Sequence, residues 1–208
     1  MKIALFGTGM IGSRIAREAL RRGHQVTVVA RTPGKLPKDL AVREVQGDAR
    51  DVDSIVQAVR GHDAVISAVG AGTGEQSGLL QANEALIRGV KQAGVPRLLV
   101  VGGAGSLEVK PGLQLVDLPD FPEAYKAPAL AHREVLNLYR KADLDWTYLS
   151  PAALITPGER TGKFRLGGDQ LVADAKGESR ISAEDYAVAM LDELEQPRHI
   201  RKRFTLGY

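Results

Sequence analysis

The apolar residues of this chain fall in short continuous runs separated by longer amphipathic stretches. Residues 2–7, KIALFG, are almost wholly apolar. The MIGSRIAREALRRG that follows, 10–23, spaces its apolar residues at helical intervals and stops at Gly23. The alternation recurs. HQVTVVAR (24–31), AVREVQGD (41–48), HDAVISAVG (62–70), PRLLVVGG (96–103) and DWTYLSP (145–151) read as strands. DVDSIVQAVRG (51–61), SGLLQANEALIRGVKQAGV (77–95) and PALAHREVLNLYRKADL (128–144) read as helices between them. Strands this apolar need cover on both faces, as parallel strands joined by crossover helices do. The pattern predicts an α/β fold, a doubly wound parallel sheet with right-handed crossovers.

The rhythm changes after Pro151. Residues 158–180 are rich in glycine and charge and read as loop plus a small hairpin. ISAEDYAVAMLDELEQ (181–196) reads as a last helix, with Ser182 and Asp185 spaced like a capping box, and RFTLGY (203–208) as a short returning strand. There is no linker or internal repeat. We expect one domain over 1–208, with 152–208 as a small cover over the carboxyl edge of the sheet, on the substrate side.

Composition narrows the function classes. The chain has 208 residues, 44% of them hydrophobic, enough for one sizeable core. A net charge of +3, with no basic run interleaved with aromatics, gives no footprint for nucleic acid. The absence of cysteine excludes disulfides, thiolate catalysis and Cys-based zinc sites. No apolar run reaches membrane length, and the first glycines and charges come too early for a secretory signal. The expectation is a cytoplasmic protein acting on a small molecule, with no metal.

The chemistry begins at Gly7-Thr8-Gly9-Met10-Ile11-Gly12. This G-x-G-x-x-G follows an apolar strand and opens a helix, the context in which it binds a dinucleotide. The first glycine permits the tight turn, the second lets backbone approach a pyrophosphate, and the third packs helix against strand. The helix N-terminus then presents free N–H groups to the phosphates. Arg31 stands at the end of the second strand, where an acid would bind the ribose 2′-OH of NAD. A guanidinium there can pair with a 2′-phosphate, helped by Thr32 and Lys35, or it can simply be solvated. The expected cofactor is NADP(H) rather than NAD(H).

These residues, with QGDARD, DAVISAVG, LLVVGGAGSL, LDWTYLSPAALITPGERTGKFRLGGD and ISAEDYAVAML, resemble an atypical short-chain dehydrogenase/reductase over essentially the whole chain. The resemblance is to the NAD(P)H-binding group called NADH-flavin reductases, itself similar to biliverdin-IXβ/flavin reductase and NmrA-like proteins. It implies a Rossmann-type sheet. It implies Asp48 and Ala49 at adenine, with Asp48 accepting from the amino group; capping of the next helix is the other role open to Asp48. It also implies Ala68, Val69 and Gly70 beneath the ribose and pyrophosphate.

Ligands of open α/β sheets sit at the carboxyl ends of the strands. The loops carrying Gly102, Gly103, Gly105 and Ser106, and that beginning at Pro151, should flank the nicotinamide. Ser106 could orient a substrate carbonyl or the nicotinamide amide as the catalytic hydroxyl, or it could be a turn serine. The Tyr-x-x-x-Lys pair of the superfamily is missing: Tyr125 and Lys126 are adjacent, with Ala129 and Leu130 four residues beyond them. Ketone reduction by a protein acid is thereby disfavoured. Hydride transfer to a flavin or another planar acceptor remains, the flavin being substrate rather than prosthetic group. The alternatives are a non-catalytic NADP(H) sensor and an epimerase-like enzyme. His24 and His62 read as structural, His132 as a core histidine, and Arg160 and Lys163 as solvated or facing an anionic acceptor.

Overall fold

The computed structural model spans the whole chain and describes all residues except Lys35, Lys38 and 71–75, with the side chains of Gln76 and Ser77 also undescribed. The elements run β1 (Lys2–Phe6), α1 (Met10–Arg21), β2 (Gln25–Ala30), β3 (Arg43–Gln46), α2 (Val52–Val59), β4 (Ala64–Ser67), α3 (Gln76–Ala93) and β5 (Leu98–Val101). They continue with β6 (Glu108–Lys110), β7 (Leu113–Gln114), a 3₁₀ turn (Leu115–Asp117), α4 (Glu123–Arg140) and β8 (Trp146–Ser150). The last are β9 (Leu154–Thr156), β10 (Arg165–Gly167), β11 (Arg180–Ser182), α5 (Ala183–Glu195) and β12 (Lys202–Gly207).

Among the described residues the main sheet has eight strands in the order β10-β12-β8-β5-β4-β1-β2-β3. Its pairs are parallel except β10 with β12. The doubly wound, Rossmann-type α/β class expected from the pattern is therefore the observed one. Period-two alternation sorts the core. Ile3, Leu5, Val26 and Val28 face the layer of α1 and α5. Ala4, Phe6, Val29 and Val65 face α2, α3 and α4. Both faces are apolar because both are covered. No helix among the described residues is long and apolar enough to cross a membrane.

The C-terminal third departs from the expected arrangement. No local hairpin forms in 158–180: β10 pairs antiparallel with β12, and β11 pairs parallel with β9. The strand 203–208 is built into the sheet beside β8, and α5 packs on α1. The segment 157–163 lies along the α1/α5 layer. Glu184 accepts from the Gly158 N–H at 2.7 Å. Asp185, fully buried, accepts from the Gly162 N–H and the Thr161 hydroxyl. Only half of the expected capping box exists: Ser182 accepts from the Asp185 N–H at 3.0 Å, while the Asp185 carboxylate is turned to the loop. Helix α4 starts five residues before Pro128, because Pro122 sets an extended N-cap and the lost hydrogen bond of Pro128 falls near the helix start.

Candidate functional site

The turn from β1 to α1 lies at the carboxyl edge of the sheet, between β4 and β2. Gly7 has φ +104°, and a Cβ built there would meet the Ala68 carbonyl oxygen at 2.3 Å. A Cβ on Gly12 would meet the Gly7 carbonyl oxygen at 2.3 Å. These two glycines are required by the protein itself. Gly9 is different. Its backbone is extended (φ −71°, ψ −168°), any residue could adopt it, and a Cβ would meet no atom of the described residues within 4 Å. Neither conformation nor packing among the described residues explains a glycine at position 9. Gly70, which follows β4, likewise has no atom of the described residues within 4 Å of a built Cβ.

Gly9 is also the N-cap of α1, with no side-chain cap and no acid in the first turn. At this end the Ser13 N–H donates to the Gly9 carbonyl at 3.0 Å. The N–H groups of the first turn are thus offered outward at the positive end of the helix dipole. Thr8 and Ile11 are half-buried and Met10 is exposed. This cradle fits a pyrophosphate: free donors, no competing carboxylate, and room at one glycine.

At the ends of β2 and β3, Arg31 and Thr32 are exposed, and the Arg31 guanidinium makes no hydrogen bond among the described residues. Lys35 lies outside the described residues. Asp48 accepts from the Arg50 backbone N–H at 2.9 Å and pairs with the Arg50 guanidinium at 3.2 Å. The Arg50 hydrogen bonds, with the more distant charge of Arg31, hold its carboxyl below the usual range. Asp48 does not cap α2. That role belongs to Asp51, which accepts from Asp53 and Ser54. Ala49, Ala68 and Val69 are half-buried at the same edge.

Around β5 and β8 the glycines have protein partners. A Cβ on Gly102 would strike the Tyr148 ring at 2.1 Å, one on Gly103 the His132 Cβ at 2.7 Å, and one on Gly105 the Ala129 Cβ at 2.6 Å. Their smallness serves the packing of Tyr148 and α4. Ser106 is buried, at 4% exposure, and its hydroxyl accepts from Arg203 at 2.9 Å. Arg203 also donates to Asp169 and to the Ser106 carbonyl, so Ser106 anchors the loop to β12. Pro151 is buried at the end of β8. Arg160 does not face an acceptor: it makes a two-point pair with the buried Glu18 of α1, at 2.7 and 2.8 Å. His24 and His62 are taken up by Glu195 at 2.7 Å and Thr27 at 3.0 Å. Tyr125 is 66% exposed on the first turns of α4.

Tyr148 and His132 are the site residues the pattern did not distinguish. Their signal was the Gly102-Gly103 pair, small residues that leave room for a large ring on the neighbouring strand. Burial pushes the Tyr148 phenol up and lowers His132 to about 4, so the imidazole is neutral at ordinary pH. An unfolded histidine titrates near 6.5. Between those values the unfolded chain binds more protons, so stability should fall as pH drops from about 6.5 towards 4. Urea titrations of wild type and His132→Phe across that range should show the slope reduced in the variant.

The family model for NAD(P)H-binding proteins matches residues 7–197. The chain belongs to the NAD(P)H-binding family. It is 42% identical to the uncharacterized protein YwnB of Bacillus subtilis (strain 168), over 99% of this chain and 98% of that one. A solved Bacteroides thetaiotaomicron structure, provisionally named an epimerase, is 43% identical, with TM-score 0.92 and coverage of 100% and 96%. One from Streptococcus pneumoniae TIGR4, provisionally named an NADH-flavin reductase, is 37% identical, with TM-score 0.88 and coverage of 100% and 99%. NAD(P)H binding is the property that the family carries.

Proposed function

We propose that the protein is an NADPH-preferring reductase that delivers hydride to a small planar conjugated acceptor, such as a free flavin. The observation that carries the reading is an intact dinucleotide cradle beside a carboxyl edge where the described residues hold no paired proton donor. Gly9 and the first turn of α1 supply the cradle. On α4, Tyr125 is turned to solvent, and among the described residues nothing replaces the Tyr-x-x-x-Lys pair. Bound NADPH would supply the hydride. The proton that completes reduction comes from water, which a heteroatom-rich acceptor can take without a protein acid. The missing pair counts equally against epimerase chemistry. The similarity to the streptococcal protein supports the flavin.

In this reading Gly7, Thr8, Gly9, Met10, Ile11 and Gly12 cradle the pyrophosphate. Arg31 and Thr32 take the 2′-phosphate, and Asp48 and Ala49 border adenine. Ala68, Val69 and Gly70 lie under the ribose. Gly102, Gly103 and Pro151 border the nicotinamide, with Ser106 holding their loop through Arg203. The chain's residues bind, orient and bring donor and acceptor into contact; that is their contribution to rate.

The test is oxidation of NADPH and NADH, followed by the absorbance of the reduced nicotinamide, with flavins, quinones and carbonyl compounds as acceptors. Turnover with NADPH preferred supports the reading. Tight NADPH binding without turnover on any acceptor would favour a redox sensor. Arg31→Ala should weaken NADPH by roughly tenfold or more, the scale of one charge-assisted contact, and leave NADH within about twofold. Equal effects on both would place Arg31 away from the 2′-phosphate.

A further inference from the structure

The hydrogen bonds around Tyr148 determine which nitrogen of His132 is bare. The Tyr148 hydroxyl lies 3.3 Å from the Gly103 N–H, 3.0 Å from the His132 carbonyl oxygen and 3.2 Å from His132 Nδ1. The phenol has one proton and two lone pairs. The Gly103 N–H can only donate and the carbonyl can only accept. The phenol donates to the carbonyl, its nearer acceptor at 3.0 Å, and Nδ1 at 3.2 Å then meets the remaining phenol lone pair with its own proton, the one arrangement in which all three contacts are hydrogen bonds. This assigns the Nδ1–H tautomer and leaves Nε2 with a lone pair. Among the described residues Nε2 has no hydrogen-bond partner.

The ring is held at the carboxyl end of β5, packed on Gly103, at the edge where the proposed acceptor sits. Its Nδ1 edge is turned to the buried phenol, so the Nε2 edge is the one left to the half-buried side. Burial keeps the imidazole neutral, so Nε2 accepts and does not donate.

We propose that His132 makes the site selective for acceptors carrying an imide or lactam N–H, which donates to Nε2. This deepens the reductase reading and rests on it. A quinone offers only oxygen lone pairs on its rim, and one of these facing Nε2 would be repelled. An isoalloxazine carries an imide N–H between two carbonyls and complements the bare nitrogen. His132 is then a specificity-determining residue, positioned by Tyr148.

The experiment compares riboflavin with N3-methylriboflavin, identical but for the imide hydrogen, and a naphthoquinone as a third acceptor. In the wild type, kcat/KM for riboflavin should exceed that for the methylated flavin by about tenfold or more, the cost of leaving one buried hydrogen-bonding group unmade. His132→Phe keeps the bulk of the ring and removes the lone pair. The ratio should fall to within about twofold of unity while naphthoquinone turnover persists; a steric penalty from the methyl group would survive this substitution. His132→Gln, which can present an amide oxygen, should recover part of the ratio.

Equal kcat/KM for the two flavins in the wild type overturns the inference and leaves the reductase reading standing. Weaker NADPH binding in His132→Phe with an unchanged flavin ratio also overturns it, because the ring then serves the nicotinamide amide. Absence of turnover with every acceptor defeats the reductase reading instead. The inference is then decided by quenching of flavin fluorescence in the presence of NADP⁺. Preferential binding of riboflavin, lost in His132→Phe, sustains it, and equal or absent binding overturns it.

Discussion

Alanine at position 9 is expected to abolish tight NADPH binding while leaving the fold almost untouched. The backbone of Gly9 is already in a region open to every residue, and the added methyl meets no atom of the described residues within 4 Å. Alanine is a poorer N-cap than glycine, but it also lowers the entropy of the unfolded chain, and the two effects oppose each other. The net change in stability should stay within about 1 kcal/mol. The methyl would occupy the surface across which a pyrophosphate must come to reach the first-turn N–H groups of α1, so affinity should fall by about a hundredfold or more. Gly7→Ala should behave in the opposite way. Its Cβ would be 2.3 Å from the Ala68 carbonyl oxygen at φ +104°, so the β1–α1 turn must move away from β4. A strained left-handed residue and a backbone clash together should cost about 2–4 kcal/mol and depress the melting temperature. Thermal unfolding and NADPH fluorescence titration, run on both variants, separate the cases. Normal NADPH affinity in Gly9→Ala would mean that the ligand does not use this turn.

The difference between the two glycines shows where the sequence was informative. G-x-G-x-x-G marks the turn, but the spacing alone does not say which glycine the protein needs and which the ligand needs. That depends on Ala68, which reaches the turn only because β4 is paired with β1. The alternating β and α elements were legible because both sheet faces are buried and the strands are nearly pure apolar runs, such as LLVV and AVIS. The last third was less legible because its order comes from polar groups distant in the chain. Arg160 and Glu18 are 142 positions apart, and each in isolation reads as a surface charge. Together they dock the 157–163 loop on α1. The bond of Ser106 was hidden for the same reason: its partner Arg203 sits in RFTLGY, where alternation shows that Arg203 faces away from Phe204 but not what it touches. His132 reads from the sequence as a core histidine. The tautomer argument needs the Tyr148 hydroxyl, and a tyrosine inside an apolar strand gives no hint of its bonds.

The largest loss of stability should come from Glu193, far from the proposed chemistry. This side chain is 4% exposed at the amino edge of the sheet, where α5 ends and the chain turns towards β12. One carboxylate oxygen accepts from Arg97 at 3.1 Å and from the His199 N–H at 2.9 Å. The other accepts from the Arg198 N–H at 3.1 Å and lies 2.8 Å from His199 Nδ1. Arg97, on the approach to β5, has a side chain only 10% exposed, and its Nε is already buried without a partner. Burial lowers its guanidinium below the ordinary value, and the carboxylate is its main compensation. Glu193→Ala would leave that cation buried and unpaired, and would remove the acceptor that holds the 198–199 backbone. The expected cost is about 3–5 kcal/mol. Replacing both partners by apolar residues, Arg97→Met with Glu193→Leu, should recover much of it, because two desolvated charges then disappear together. Urea unfolding of the two single variants and the double variant gives the coupling directly. The same proteins, assayed where they remain folded, should bind NADPH with unchanged affinity, since the amino edge lies across the full length of the strands from the glycine turn. A loss of cofactor binding that tracks the loss of the Glu193 pair would mean that the two edges of the sheet are coupled through β5, against the separation argued here between the residues that hold the sheet and those that hold the ligand.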